Sequence, residues 1–91
     1  MVMSEVDVES VASVTGESRG DVLRKGLESY ISTQLRECRA RIKELRNEYQ
    51  VDSLSALEEQ VESGSVDEHP AWEAVIEWRN LEKRIQTLKQ F

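Results

Sequence analysis

Cys38 and His69 carry the most intrinsic chemistry in this chain, and each is the only residue of its type. A catalytic thiolate needs a neighbouring base and a depressed pKa, and a metal site needs several His, Cys or carboxylate ligands at set spacing. Cys38 falls instead at an apolar position of a long helical repeat, where cysteine acts as a small buried hydrophobe. His69 stands before Pro70 at a helix start and reads as a loop residue. The pairs Glu58–Glu59 and Glu73–Glu77 have the composition of an acid and its base, but no aromatic wall or pocket accompanies them, so solvated carboxylates are expected. Gly16 and Gly20 lack the spacing and the lysine of a phosphate-binding loop. The expectation is a non-enzymatic protein with no cofactor, no metal and no small-molecule substrate.

Trp72, Trp78, Tyr30 and Tyr49 are weighed differently. At helical spacing such aromatics belong to a core or a dimer interface, and as exposed residues they would anchor a partner protein, where Trp and Tyr are enriched. The charge pattern bears on the choice. The net charge is −6, which disfavours non-specific binding to nucleic acid or to an anionic membrane. Residues 1–17 hold four acids and no base, residues 18–49 eight bases and five acids, residues 50–78 eight acids and no base, and residues 79–91 four bases and one acid. Solvated helix faces that pair with one another explain such blocks; a docking face for a basic partner is the sharper alternative. On that alternative the partner-binding residues are Glu58, Glu59, Glu62, Asp67 and Glu68, with Trp72 and Trp78 as anchors.

The elements that must position these residues are helical. At 91 residues the chain is a single small helical domain by length, with 38% apolar and 33% charged residues. No apolar stretch approaches the roughly 20 residues of a membrane span, and a cytoplasmic location is expected from the lone cysteine and the absence of a secretory signal at Met1–Glu5. In the N-terminal arm, 1–17, Asp7 caps a short helix over Val8–Val14, closed by Thr15 and Gly16. Ser18, with Asp21 three residues on, opens a long helix over 18–50. Along it Ile31, Leu35, Cys38, Ile42, Leu45 and Tyr49 alternate steps of four and three, a 3.5-residue seam. Glu37 and Arg41 fall at the favourable i,i+4 spacing.

Asp52 or Ser53 caps a short connecting helix, 52–63, that Gly64 ends. Pro70 suits the first turn of a last helix, 69–90, whose seam is Ala71, Ala74, Trp78, Leu81, Ile85 and Leu88. The fold class is therefore all-α, with the long and C-terminal helices forming an antiparallel, coiled-coil-like hairpin. Val22, Leu23, Leu27 and Tyr30, with Trp72, Val75 and Ile76, exceed what one thin hairpin can cover, so a homodimer or a complex with another protein is expected, the homodimer being preferred. Its interface is assigned to Leu23, Leu27, Tyr30, Ile31 and Leu35.

Residues 8–33 resemble the helix–turn–helix part of ribbon-helix-helix proteins. Thr15 and Gly16 end a short helix, Ser18 caps the next, and Leu23, Arg24, Leu27, Tyr30 and Ile31 stand where that family packs its dimer. The resemblance implies a paired strand before the first helix as the DNA reader. Here that stretch is Met1–Val6, without Lys or Arg. As a DNA-binding regulator, the alternative reading, the chain would touch phosphates through Arg19, Arg24 and Lys25. The remainder, with Tyr49, Asp52, Leu54, Leu57, the run His69-Pro70-Ala71-Trp72-Glu73 and then Glu77-Trp78, resembles small archaeal antitoxin-like proteins. That likeness implies a non-enzymatic, dimeric helical protein that binds another protein, such as the antidote half of a toxin–antitoxin pair.

Overall fold

Side-chain caps and left-handed residues satisfy most of the backbone groups that helix ends leave unpaired; the last helix alone, entered from Asp67 and ended at Lys89, has neither. A computed structural model describes residues 7–91 and places in them four helices: α1 (Val8–Thr15), α2 (Arg19–Tyr49), α3 (Leu54–Ser63) and α4 (Glu68–Leu88). The Asp7 carboxylate accepts the Glu9 N–H at 2.9 Å and opens α1, while Gly16, at φ 75°, closes it. The Ser18 hydroxyl accepts the Asp21 N–H at 3.1 Å. Of the two candidate caps for α3 the chain uses Ser53, whose hydroxyl accepts from the Ala56 N–H at 3.2 Å. Pro70 sits in the first turn of α4, where a missing N–H costs nothing.

The end of α2 has a feature that composition does not announce. Gln50 is left-handed, at φ 56°, the conformation in which a glycine is usual. The turn lets the Val51 N–H donate to the Arg46 carbonyl at 3.1 Å, and the Arg46 Nε donates to the Asp52 carbonyl at 3.2 Å. Thus Arg46 ties the end of one helix to the approach of the next through both its backbone and its side chain. The helix limits depart from the expected 18–50, 52–63 and 69–90 by at most two residues at each end, the usual uncertainty of terminal turns.

Packing divides the chain, expected to be one domain, into two compact units that meet within α2, one up to Thr33 and one over Gln34–Phe91. The first unit contains α1 and the start of α2. Among the described residues it contributes no buried one: α1 has none, and the buried residues of α2 are Cys38, Ile42 and Leu45. One polar link joins its two helical pieces, Arg19 to Glu9 at 2.7 Å, and Lys25 ties the intervening turn through Glu17.

The second unit holds the core. Cys38, Ile42 and Leu45 of α2 meet Ala74, Val75, Trp78 and Leu81 of α4, and Val51 and Leu57 close the end of the cluster. Trp78, Leu45, Leu57 and Val75 are its largest fully buried side chains. The two long arms run antiparallel. Tyr49, at the end of α2, is close enough to Asp67 and Glu73, at the start of α4, to feel their charge, whereas the earlier Arg39 and Ile42 share a groove with the later Ile85 and Gln86. Beside the core Arg41 grips Glu77 with two hydrogen bonds, 2.6 Å from Nε and 2.8 Å from the guanidinium end, and also reaches Glu44 at 3.0 Å. The expected helix-surface partner, Glu37, is passed over because Glu77 offers a bidentate fit across the helices.

Candidate functional site

Three surfaces could act on another molecule. On the first unit, Leu23, Leu27 and Tyr30 follow one another at steps of four and three and so share a face of α2. They are 45%, 63% and 62% exposed, and Val14 of α1 is 88% exposed. Ile31 and Leu35, assigned with them to a dimer seam, are half-buried. Charges around this stripe are spent locally, since Arg24 pairs with Asp21 at 3.3 Å and with Glu28 at 3.2 Å. Arg24 and Ser18 hold the Asp21 carboxyl below its ordinary pKa by hydrogen bonding.

On the second unit, the start of α4 and the end of α3 enclose a shallow acidic concavity. Glu62, Glu68 and Trp72 line one part of it with Val61 and Gly64; Asp67, Glu68, His69 and Trp72 line the adjoining part. Trp72 is 47% exposed, and the Arg79 guanidinium covers one side of its ring at 5.9 Å. The structure therefore brings Glu62, Asp67 and Glu68 together around Trp72. Glu58 is not part of that set, because it turns to Arg79 at 3.0 Å. Glu59 is exposed on α3 and lines neither hollow.

Trp78 is a correction. Assigned as a partner anchor, it is fully buried in the hairpin core, its indole N–H donates to Glu82 at 3.1 Å, and the Arg46 guanidinium lies over its ring at 6.0 Å. The spacing Trp72–Trp78 is six residues, which on an α-helix sets the two side chains about 120° apart around the axis. One therefore faces the core when the other faces water.

The third surface escaped the sequence reading. Between α2 and α4 runs an open groove of about 700 Å³ whose lining carries Arg39, Arg46, Arg79 and Lys83 against a single acid, Glu82. Its floor is apolar, formed by buried Ile42 and half-buried Ile85. The signal was present in the spacing. Arg39 and Arg46 stand seven residues apart, and Arg79 and Lys83 four, so each pair rides one edge of its helix beside the seam.

The cations assigned to DNA phosphates are all engaged within the first unit: Arg19 with Glu9, Arg24 with Asp21 and Glu28, Lys25 with Glu17. The strand expected at Met1–Val6 lies outside the described residues. Among the described residues no group of three or more His, Cys, Asp or Glu is placed to hold a metal ion, and no helix is long and apolar enough to cross a membrane.

No curated protein and no solved structure gives a significant match to this chain. A family model does, over residues 1–91, and it is described as the Uncharacterized protein MJ0235 family. That description agrees with the likeness to small archaeal proteins without assigned activity and carries neither an antitoxin nor a ribbon-helix-helix assignment. An all-helical chain with a small buried core, an unburied first unit and charged outer faces thus belongs to the MJ0235 family.

Proposed function

We propose that this protein is a non-enzymatic interaction module that pairs with a second copy of itself through its first unit and presents the acidic Trp72 face of its hairpin to a basic partner protein. One observation carries the reading: Leu23, Leu27 and Tyr30 form a regular apolar stripe on a unit that buries none of its described residues. A segment this short gains too little from self-burial to hold its helices, and a second copy supplies the missing surface. Residues 1–33 carry six acids and three bases, so the apolar stripe has to outweigh a modest like-charge repulsion between two copies. The acidic hollow around Trp72 supports the second half of the proposal, because a half-exposed tryptophan ringed by carboxylates suits a basic, partly apolar surface. An antitoxin-like role is the narrower form of the same proposal, with a neighbouring toxin as the basic partner.

Sedimentation equilibrium or light scattering across a wide concentration range tests the pairing. A dimer that Leu27→Glu converts to monomer, without loss of helical signal, is the expected result. A monomer at every concentration would sink the pairing. Co-purification of the tagged protein from its own cells tests the partner. A stoichiometric basic protein whose capture fails with Trp72→Ala supports the reading, and a partner indifferent to that change removes the Trp72 face from it.

A further inference from the structure

The basic groove between α2 and α4 is separate from the first-unit stripe and shares with the Trp72 face only Arg79, which also pairs with Glu58. We infer that it is a binding site for a short acidic peptide segment carrying an aliphatic side chain, a ligand opposite in charge to the basic partner proposed for the Trp72 face. Three observations point there. First, an acidic protein gathers Arg39, Arg46, Arg79 and Lys83 on one groove. Several of its other cations are neutralised in place, as Arg19, Arg24, Lys25 and Arg41 are. Second, among the described residues Arg39, Arg46 and Lys83 form no ion pair, and Arg46 is held in position by the Asp52 carbonyl and the Trp78 ring. Arg46 thus keeps donors facing the groove at little further entropic cost. Third, beside buried Ile42 the floor leaves part of Ile85 uncovered, an apolar surface that a carboxylate alone does not cover.

These features choose among anionic ligands. Nucleic acid would meet the cations with phosphates, but it has no flexible branched aliphatic side chain for the floor, and a long polyanion must also approach a chain of net charge −6. A small anion such as phosphate would use the cations and leave a volume of about 700 Å³ largely unfilled. From Arg39 to Arg46 the groove follows roughly two helical turns, about 10 Å. An acidic amphipathic helix of two or three turns, with leucines four residues apart facing inward and glutamates flanking them, matches that length and lining.

The proposal is independent of self-association, so its test uses the full chain in the Leu27→Glu background. The probe is a labelled glutamate-rich helical peptide with two leucines at i and i+4, titrated while the backbone amide spectrum is recorded. Saturable binding is expected, with the largest shifts at Ile42, Arg46, Lys83, Ile85 and Gln86. Arg39→Glu combined with Lys83→Glu should weaken binding at least about tenfold, because two attractive charges become repulsive. Arg39→Lys with Lys83→Arg should retain most of it, and Glu62→Gln on the Trp72 face should leave it unchanged. Several results would overturn the inference: no saturation at millimolar peptide, equal binding of a peptide with the leucines replaced by serine, or tighter binding of a single-stranded oligonucleotide of the same charge. Shifts of the groove amides with protein concentration alone would also overturn it, since they would identify a second copy as the occupant.

Discussion

The two halves of α2 use the same pattern and meet different fates. From Leu23 to Tyr30 apolar residues recur at steps of four and three, and from Cys38 to Leu45 they do so again. In the second half Cys38, Ile42 and Leu45 are buried beneath α4, whereas in the first Leu23, Leu27 and Tyr30 remain 45–63% exposed. Helical periodicity selects a face; it does not supply what covers it. The hairpin half has its cover within the chain, because a turn at Gln50 and the short helix α3 bring α4 back. Among the described residues the first half has only α1, eight residues long and without a buried side chain. This contrast is why the first unit is proposed to complete itself with a second copy, while the hairpin unit has its outer surfaces available to other molecules.

The strongest way to break the contrast is at Trp78. Trp78→Ala removes the largest fully buried side chain and is expected to cost about 3–5 kcal/mol, enough to unfold the hairpin unit of a small domain. Trp72→Ala, six residues away, should cost less than about 1 kcal/mol because much of that ring already faces water. Chemical denaturation of both variants checks the difference, and equal costs would show that Trp72 is as much a core residue as Trp78.

At Leu27 the effect should be large on association and small on the isolated chain. Leu27→Glu is expected to weaken self-association by at least about a hundredfold, since it places two carboxylates in an apolar seam. Hydrogen exchange sharpens the same point. Amides near Cys38–Leu45 should exchange slowly in both forms, while those near Leu23–Tyr30 should gain protection only in the dimer. Slow exchange at Leu27 in a proven monomer would mean that the first unit is stable unaided.

Smaller effects come from the polar links of the hairpin. Arg41 holds the Glu77 carboxyl below its ordinary pKa, chiefly through their paired hydrogen bonds, and Glu77 in turn raises that of Arg41. For Glu77 the folded pKa is the lower one, so its contribution is present above the ordinary glutamate pKa of 4.5 and is lost as pH falls through the depressed folded value. Both side chains are about two-fifths exposed, which limits the pair to roughly 0.5–1 kcal/mol. Glu77→Gln should therefore lower stability at pH 7 by about that amount and flatten the acid limb of the stability profile. An unchanged acid limb would remove Glu77 from the account.

The smallest expected change is a gain. Gln50→Gly relieves a left-handed residue at the end of α2 and should stabilise the hairpin by about 0.5 kcal/mol, after loss of the Gln50 side-chain bond to the Asn47 carbonyl. Tyr49, one residue earlier, should titrate above the ordinary phenol value, because burial disfavours its anion and Glu48 adds to that effect. Absorbance titration reads it directly.

Local chemistry along the chain determined the helices and their ends, because caps and periodicity depend on neighbours in sequence. Asp7, Gly16, Ser18 and Gly64 could be read as signals, and the apolar seam of α4 announced Trp78 and Leu81 as members of one face. What the chain did not disclose were properties of distance in space. Trp78 was assignable to core or to a partner until α2 and α3 closed over it. Arg41 was matched to Glu37 by spacing but to Glu77 by geometry. Arg39, Arg46, Arg79 and Lys83 looked like ordinary solvated cations until antiparallel packing set them around one groove. A helix repeat encodes which residues share a side, and only the path of the chain decides which sides meet, since burial and charge proximity are sums over neighbours that sequence separation does not order.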